Sequence, residues 1–248
     1  MGSSSAPTPR KTGASIGERV AALDWARIEH DLDAQGYATT GAVLRESECA
    51  ELIALYSDRE RFRSRVVMER HQYGVGEYKY FARPMPPLVE ELRVAMYEKL
   101  APTANRWTER MRTHDSYPPS LTEFLKACAA AGQIKPTPLI LRYEQGGYNC
   151  LHQDLYGEIA FPLQFTCALS RRGHDFEGGE LLLVEQRPRA QSRGEAIALD
   201  AGEGIIFANR YRPAAGARGF HRVNTRHGVS TIRAGVRYAM GVIFHDAA

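Results

Sequence analysis

The chain has 248 residues, of which 44% are hydrophobic and 25% charged, and its formal net charge is +3. That length can bury a full core as one large domain or two small ones, and the composition is that of a soluble globular protein. No apolar run approaches the ~18 residues of a membrane-spanning helix, and the modest charge excludes a protein that is strongly basic throughout.

Residues 1–16 are rich in Ser, Pro, Gly and Thr and lack an apolar stretch. They read as a disordered tail and not as a signal peptide. Met-Gly opens the chain, but Ala6 breaks the myristoylation pattern. Cys49, Cys128, Cys150 and Cys167 are widely spaced with no CxxC. This argues against a disulfide framework or a zinc ribbon and suits a reducing cytoplasm.

The first half reads as mainly helical. Ala21, Trp25, Ile28 and Leu32 mark one helical face that stops near Gly36. Ser47 is the expected cap of a second helix, with Cys49, Leu52, Ile53 and Tyr56 inward. A long helix should follow Pro86-Pro87 through Leu88, Leu92, Met96 and Leu100. Pro102 predicts a break before Trp107 and Met111. A shorter helix after Pro118-Pro119 buries Leu121, Phe124, Leu125 and Cys128 and ends near Gly132. Between the helices, Phe62 to His71 alternates basic and apolar residues like a strand, and Tyr73 to Phe81 mixes Gly and Tyr as binding loops do. Gly74-x-Gly76 lacks the third glycine and the helix of a dinucleotide fingerprint. His71 reads as a surface or hydrogen-bonded histidine.

After Pro136 the pattern changes to short apolar runs between Gly or charged turns. They are 138–143, 148–154, 161–170, 179–186, 196–199, 204–208, 220–223 and 236–244. Eight such strands predict two four-stranded sheets in a jelly roll. The expected fold is therefore α+β: a helical layer over 17–135 packed on a jelly-roll, or double-stranded β-helix, core over 136–248, in a single domain spanning 17–248.

Within the second expected strand, His152 and Asp154 share one face and Gln153 takes the other. The pair supplies two ligands of a 2-His-1-carboxylate triad, which leaves positions on Fe(II) open for a cosubstrate and oxygen. A surface or hydrogen-bonded pair is the competing reading. Two later histidines can complete the triad. His227 lies ten residues before Arg237, with Gly228 to Gly235 expected to form the turn and crossing between strands. His221 is the rival ligand; His174, in a charged loop, and His245, after the last strand, have weaker claims. An arginine at position 237 can bind the distal carboxylate of 2-oxoglutarate in a bidentate pair.

The set His152-x-Asp154, His227 and Arg237, with Gly178-Gly179-Glu180 leading an intervening strand, resembles the Fe(II)/2-oxoglutarate dioxygenases. The spacing from His227 to Arg237 looks like the prolyl-4-hydroxylase-type branch. A closer resemblance runs over nearly the whole chain. Thr137-Pro138-Leu139, Tyr148 to Glu158, Glu185-Gln186-Arg187-Pro188-Arg189, Arg226 to Ser230 and Ile243 to Ala247 look like a bacterial oxygenase family predicted, by analogy with AlkB-type repair enzymes, to demethylate damaged DNA oxidatively. The resemblance implies Fe(II) held by His152, Asp154 and His227, 2-oxoglutarate anchored by Arg237, O2 as oxidant, and Tyr143 hydrogen-bonded to the cosubstrate; the competing reading of Tyr143 is a core aromatic with its hydroxyl at the sheet edge. Where some prolyl hydroxylases carry a second cosubstrate-binding tyrosine, this chain has Thr166-Cys167-Ala168, so a polar partner must come from elsewhere, such as Gln164 or Thr166.

Ten arginines fall between Arg187 and Arg237, at 187, 189, 193, 210, 212, 218, 222, 226, 233 and 237. Gathered at a pocket rim they would suit a nucleic-acid strand, alkylated as the resemblance implies, or another anionic substrate. The opposing reading is that they pair with carboxylates or with 2-oxoglutarate. Phe207 and Tyr211 are candidate stacking residues. Other substrates for the same chemistry are protein prolyl residues and small metabolites; outside enzymes, the fold also serves cupin-like binding modules and zinc proteins.

Overall fold

The computed structural model describes residues 13–187, 189–217 and 219–248. The tail expected at 1–16 lies outside it up to residue 12, and Ile16 already opens a helix. Ser15 accepts a hydrogen bond from Glu18 N–H, and the Glu18 carboxylate accepts one from Ser15 N–H. This reciprocal cap starts α1 (Ile16–Ala21). Helix α2 (Trp25–Gln35) is capped by Asp24 and ends at Gly36, whose φ is 83°, as its periodicity predicts; Ala21 belongs to α1 instead. Helix α3 (Glu46–Leu55) starts one residue before the expected cap Ser47. Its first turn is closed by Glu48, whose carboxylate accepts from Arg45 N–H at 2.8 Å.

Helix α4 (Pro87–Met111) runs through Pro102 without the expected break. A proline there removes one helical hydrogen bond. The turns on both sides are held by burial, since Leu100, Ala101, Thr103, Ala104 and Trp107 are at most 1% exposed. Ser120 caps α5 (Leu121–Ala130), which buries Leu121, Phe124 and Cys128.

The first half also carries strands: β1 (Tyr37–Ala42), β2 (Phe62–Val67), β3 (Gly74–Val75) and β4 (Glu77–Phe81). In the second half come β5 (Leu139–Glu144), β6 (Tyr148–His152), β7 (Leu163–Ala168), β8 (Phe176–Gly178) and β9 (Leu181–Gln186). They are followed by β10 (Arg193–Ile197), β11 (Glu203–Ala208), β12 (Tyr211–Gly216), β13 (Gly219–Val229) and β14 (Ile232–Val242). Two sheets result, in the orders β1-β11-β7-β14-β5-β4-β2 and β10-β9-β13-β6-β3. The expected four-plus-four jelly roll lies inside them as β11-β7-β14-β5 and β10-β9-β13-β6. The layer expected to be helical lends β1, β4 and β2 to the edges of the larger sheet and β3 to the smaller one.

Two boundaries differ from expectation. Strand β13 continues through His227 to Val229, and β14 begins at Ile232, so the crossing expected over Gly228–Gly235 shrinks to a tight turn at Ser230-Thr231. Arg237 therefore sits within a strand and not at its start. Strand β12 forms a hairpin with the first half of β13.

Helix α4 packs on the larger sheet through an aromatic cluster of Tyr97, Phe124, Phe161 and Phe244, with ring centroids 5.0 to 6.0 Å apart. Arg93 of α4, fully buried, donates to the carbonyls of Ile243 and Phe244 and to Asp246 Oδ1 at 2.8 Å. That bond set ties the chain after β14 to the helix. His245 lies in the same layer, 0% exposed. Its Nδ1 accepts from Phe161 N–H at 3.2 Å, so the ring must be neutral. Burial pushes its pKa down to about 4, and the folded state therefore binds the proton later than the unfolded chain does. Stability should fall as pH drops from about 6.5 to about 4, by about 3 kcal/mol from this group. Urea unfolding across that range checks it: His245→Asn, which keeps an acceptor but does not titrate, should show the shallower slope, and parallel curves would reject the assignment.

Candidate metal centre

The centre is built from cross-strand pairs. In the smaller sheet His227 of β13 stands opposite His152 of β6. The next register pair is Val229 with Asn149, so β6 carries one extra residue, a bulge that turns the end of the strand. Gly228 makes this approach possible, because a Cβ there would lie 2.7 Å from the Asn149 carbonyl oxygen. The two imidazoles end with centroids 4.2 Å apart.

Asp154 follows the end of β6 and has no ladder to fix it. Asn209, 1% exposed, supplies the missing partners: its Oδ1 accepts from Asp154 N–H at 3.0 Å and its Nδ2 donates to Asp154 carbonyl oxygen. Tyr156 donates its hydroxyl to Asp154 Oδ1 at 2.6 Å. The other oxygen, Oδ2, is 3.1 Å from His227 Nε2, and Oδ1 is 3.6 Å from His152 Nε2. One ligand atom from each of His152, Asp154 and His227 lies within 4.8 Å of the others. Gln153 reaches sideways to β13, donating to Asn224 Oδ1 and to the Thr225 carbonyl.

The electrostatics suit a cation. Burial alone would raise the Asp154 carboxyl pKa; the His227 contact, the His152 ring and the Tyr156 hydroxyl reverse this and hold it well below the usual range. Burial and the neighbouring His227 lower the His152 pKa against the pull of Asp154, which favours the neutral ring. His152 Nδ1 is 2.8 Å from Cys150 carbonyl oxygen. That oxygen can only accept, so Nδ1 carries the hydrogen and Nε2 keeps its lone pair for the centre.

The triad faces a cavity of about 480 Å³ between the sheets. The opposite wall comes from the larger sheet, where Arg237 of β14 stands across from Tyr143 of β5. Arg237 is 3% exposed and, among the described residues, has no ion-pair partner. The Tyr143 hydroxyl is buried and, among the described residues, makes no hydrogen bond of good geometry, Asn149 being the nearest candidate. Burial lowers the pKa of Arg237 and raises that of Tyr143. A buried, unpaired guanidinium and hydroxyl are costly unless a ligand satisfies them. Gly179 permits the close fit behind Arg237: a Cβ there would lie 2.8 Å from Arg237 Cδ. Gln164 and Thr166 of β7 line the cavity, and the Gln164 amide is 3.2 Å from His227 Nε2.

The structure separates the rival histidines. His221 shares β13 with His227, six positions along an extended strand and thus roughly 20 Å away. His174 pairs with Asp175 in an exposed loop, and His245 is walled into the core. The arginine stretch does not rim the cavity: of its nine described members only Arg237 lines it, and Arg218 lies outside the described residues, as does Pro188 of the quoted Glu185–Arg189 motif. Arg187 and Arg212 pair with Glu185, and Arg193 pairs with Glu195. Arg210 and Arg222 both lie over the Tyr211 ring, 4.7 and 5.0 Å from its centroid. Phe207 is 1% exposed and packs 4.9 Å from the His227 ring, so it is no stacking platform. The sequence reading missed Asn209 and Tyr156. Tyr156 lies on the face of Asp154 in a quoted motif, whereas nothing in the sequence marks Asn209 as a neighbour of Asp154.

Two jelly-roll sheets with this site between them define the double-stranded β-helix fold of the oxygenases. The fold is shared with a prolyl-4-hydroxylase from Pseudomonas putida, at 14% identity and a TM-score of 0.55 over 90% of this chain and 99% of that one. It is also shared with an oxidoreductase of the 2OG-Fe(II) oxygenase family from Burkholderia pseudomallei, at 16% identity and a TM-score of 0.51 over 92% and 93%. The chain belongs to the Oxygenase-NA family, described as an oxygenase catalysing oxidative methylation of damaged DNA, which it matches over residues 76–247. Uncharacterized protein Rv2227 of Mycobacterium tuberculosis is 51% identical over 168 residues, or 68% of this chain and 72% of that one. Membership makes the chain an enzyme, an oxygenase, and removes the binding-module reading.

Tyr156 and Asn209 hold Asp154 without belonging to the triad. Tyr156→Phe should weaken Mn(II) or Fe(II) binding by about 10-fold and Asn209→Ala by up to about 100-fold, read by calorimetry on apo-protein. Unaltered affinity in both would mean that Asp154 is positioned by its ring partners alone.

Proposed function

We propose that the chain is an Fe(II)- and 2-oxoglutarate-dependent dioxygenase whose metal ligands are His152, Asp154 and His227, acting over residues 17–248 as one unit. The observation that carries this is the pairing, across one cavity, of a two-imidazole, one-carboxylate donor set with a buried arginine that, among the described residues, lacks a counter-ion. Donor type fits Fe(II) with positions left for other ligands, and Arg237 fits the far carboxylate of a dicarboxylic cosubstrate in bidentate fashion. Tyr143, beside Arg237, offers its buried hydroxyl to the same carboxylate.

Bound there, iron, 2-oxoglutarate and O2 supply oxidation of a C–H bond to C–OH, with 2-oxoglutarate leaving as succinate and CO2. The protein's own residues orient and exclude. His152 is fixed by Cys150 and Asp154 by Asn209 and Tyr156, so the donors are arranged before metal arrives. Arg237 sets the direction in which the cosubstrate lies, and the apolar walls Leu139, Leu141, Leu181 and Ile243 keep water from the oxidising centre. The family description supports a methylated nucleic-acid base as substrate. Oxygen inserted into an N-methyl C–H bond gives a hemiaminal that sheds formaldehyde, so we write the reaction as demethylation. Four free thiols suit a reducing cytoplasm, and among the described residues no helix is long and apolar enough to cross a membrane. Prolyl and metabolite substrates remain the alternative for the same centre.

His152→Ala, Asp154→Ala and His227→Ala should each abolish tight Fe(II) binding and iron-dependent succinate formation, whereas His221→Ala keeps most of both. The reverse ranking of the two β13 histidines in a decarboxylation assay would move the ligand to His221. Formaldehyde release from alkylated single-stranded oligonucleotides tests the substrate; turnover on a prolyl peptide alone would replace it.

Arg237→Leu should raise the 2-oxoglutarate requirement roughly 30-fold or more, because the lost charge-assisted pair is worth about 2–5 kcal/mol. An unchanged requirement would assign the anchor elsewhere.

A further inference from the structure

Seven large hydrophobic side chains are exposed among the described residues, and five of them, Tyr73, Val75, Tyr148, Leu151 and Leu155, gather at one place. Tyr73, Leu151 and Leu155 line the mouth of the metal-centre cavity, and Val75 pairs with Tyr148 beside them across β3 and β6. Such clustering marks a binding surface, whereas single exposed apolar residues do not. The mouth is also poor in charge. Asp154 and Arg237 are the ionised residues of the lining, and both face the interior.

Tyr73 stands out in this group. Its ring is stacked on His71, with centroids 5.3 Å apart and planes inclined by 23°, yet 49% of the residue is exposed. Its backbone is pinned: Tyr73 N–H donates to the Met68 carbonyl at 3.1 Å, and the Tyr73 carbonyl accepts from Cys150 N–H at 2.8 Å. Met68 is wholly buried, and Cys150 is two residues from His152. The loop closes tightly because Gly74 and Gly76 have φ of 132° and 143°, and Cβ atoms there would meet Tyr148 carbonyl oxygen at 2.3 Å and Tyr143 Cδ1 at 2.7 Å. A flat ring is thus backed by another ring and fixed through backbone bonds to the strand that carries a triad histidine.

We propose that the His71–Tyr73 pair is a stacking platform that receives one planar heterocyclic ring, an unpaired base, at the cavity mouth and fixes its orientation toward the centre. This rests on the nucleic-acid reading above and gives it a recognition element other than the arginine stretch. A base reaches such a cavity only when unstacked from its neighbours, and an aromatic face replaces the lost stacking whatever the sequence around it. An N-methylated base that carries positive charge is held further by the π face of tyrosine. The apolar rim of Leu151 and Leu155 adds contact without demanding a charge partner.

The test uses the full chain loaded with Mn(II) and 2-oxoglutarate. The probes are a single strand with one 2-aminopurine among abasic sugars and a wholly abasic strand of the same length. Equal phosphates isolate the ring. The 2-aminopurine strand should bind about 10-fold tighter, with its fluorescence quenched by stacking. Tyr73→Ala and Tyr73→Leu should weaken it roughly 5- to 100-fold and remove the quench, and Tyr73→Trp should restore both. Phe220→Ala, an exposed aromatic away from the cavity, should match the wild type. Equal binding of the two strands, or a base preference that survives Tyr73→Leu, overturns the platform. Iron-dependent consumption of 2-oxoglutarate by the same protein, stripped of Mn(II) and reloaded with Fe(II), separates the two failures. If it is intact, the platform alone falls; if it is lost, the iron-site reading falls with it.

Discussion

The site depends on the register between β13 and β6. A strand presents alternate residues to opposite faces, so a slip of one residue would send His227 to the outside of the smaller sheet. The bulge in β6 and the close approach at Gly228 lock that register. With it set, both imidazoles project into the space between the sheets. The same rule on the facing sheet places Arg237 across from Tyr143. Thus each sheet contributes one cross-strand pair, one suited to a cation and the other to an anion, and the jelly roll holds the two pairs apart by the thickness of its core.

Charge burial in this interior is handled in two ways. Arg93 is buried with its acceptors in place, two carbonyls and the Asp246 carboxylate, and it serves the fold. Arg237 is buried just as deeply and lacks a counter-ion among the described residues. The free energy to keep it there must come from the surrounding core, and ligand binding would return it. Asp154 stands between these cases, an ionised carboxylate whose Oδ1 accepts from Tyr156 while Oδ2 faces His227.

Much of this was legible in the sequence because the signals were local. The eight apolar runs after Pro136 are the eight strands of the jelly roll, and His152 lies at the end of the second of them, with Asp154 just beyond it. What escaped depended on contacts distant in sequence. Strand β1, Tyr37-Ala-Thr-Thr-Gly-Ala, has no large aliphatic residue and is a strand because β11 offers it an edge. Pro102 is tolerated because of what α4 packs against. Asn209 reads as a turn residue before Arg210, and only the fold brings its amide to both backbone groups of Asp154. The arginine stretch misled for a different reason: Glu185 and Glu195 lie two residues from Arg187 and Arg193 and pair with them locally, and only the Arg212–Glu185 pair is made by the fold.

The strand order also bears on how the chain is made. In the smaller sheet β13 lies between β9 and β6, yet it follows both in sequence. Until it arrives, β6 and β9 each present an unpaired edge toward the gap it will fill. Loop closure over such separations is slow, and open edges invite pairing with other chains. A nascent chain halted before residue 219 would therefore hold His152 and Asp154 on an unfinished sheet prone to intermolecular association. Metal could not template the missing strand, since the third ligand arrives with it.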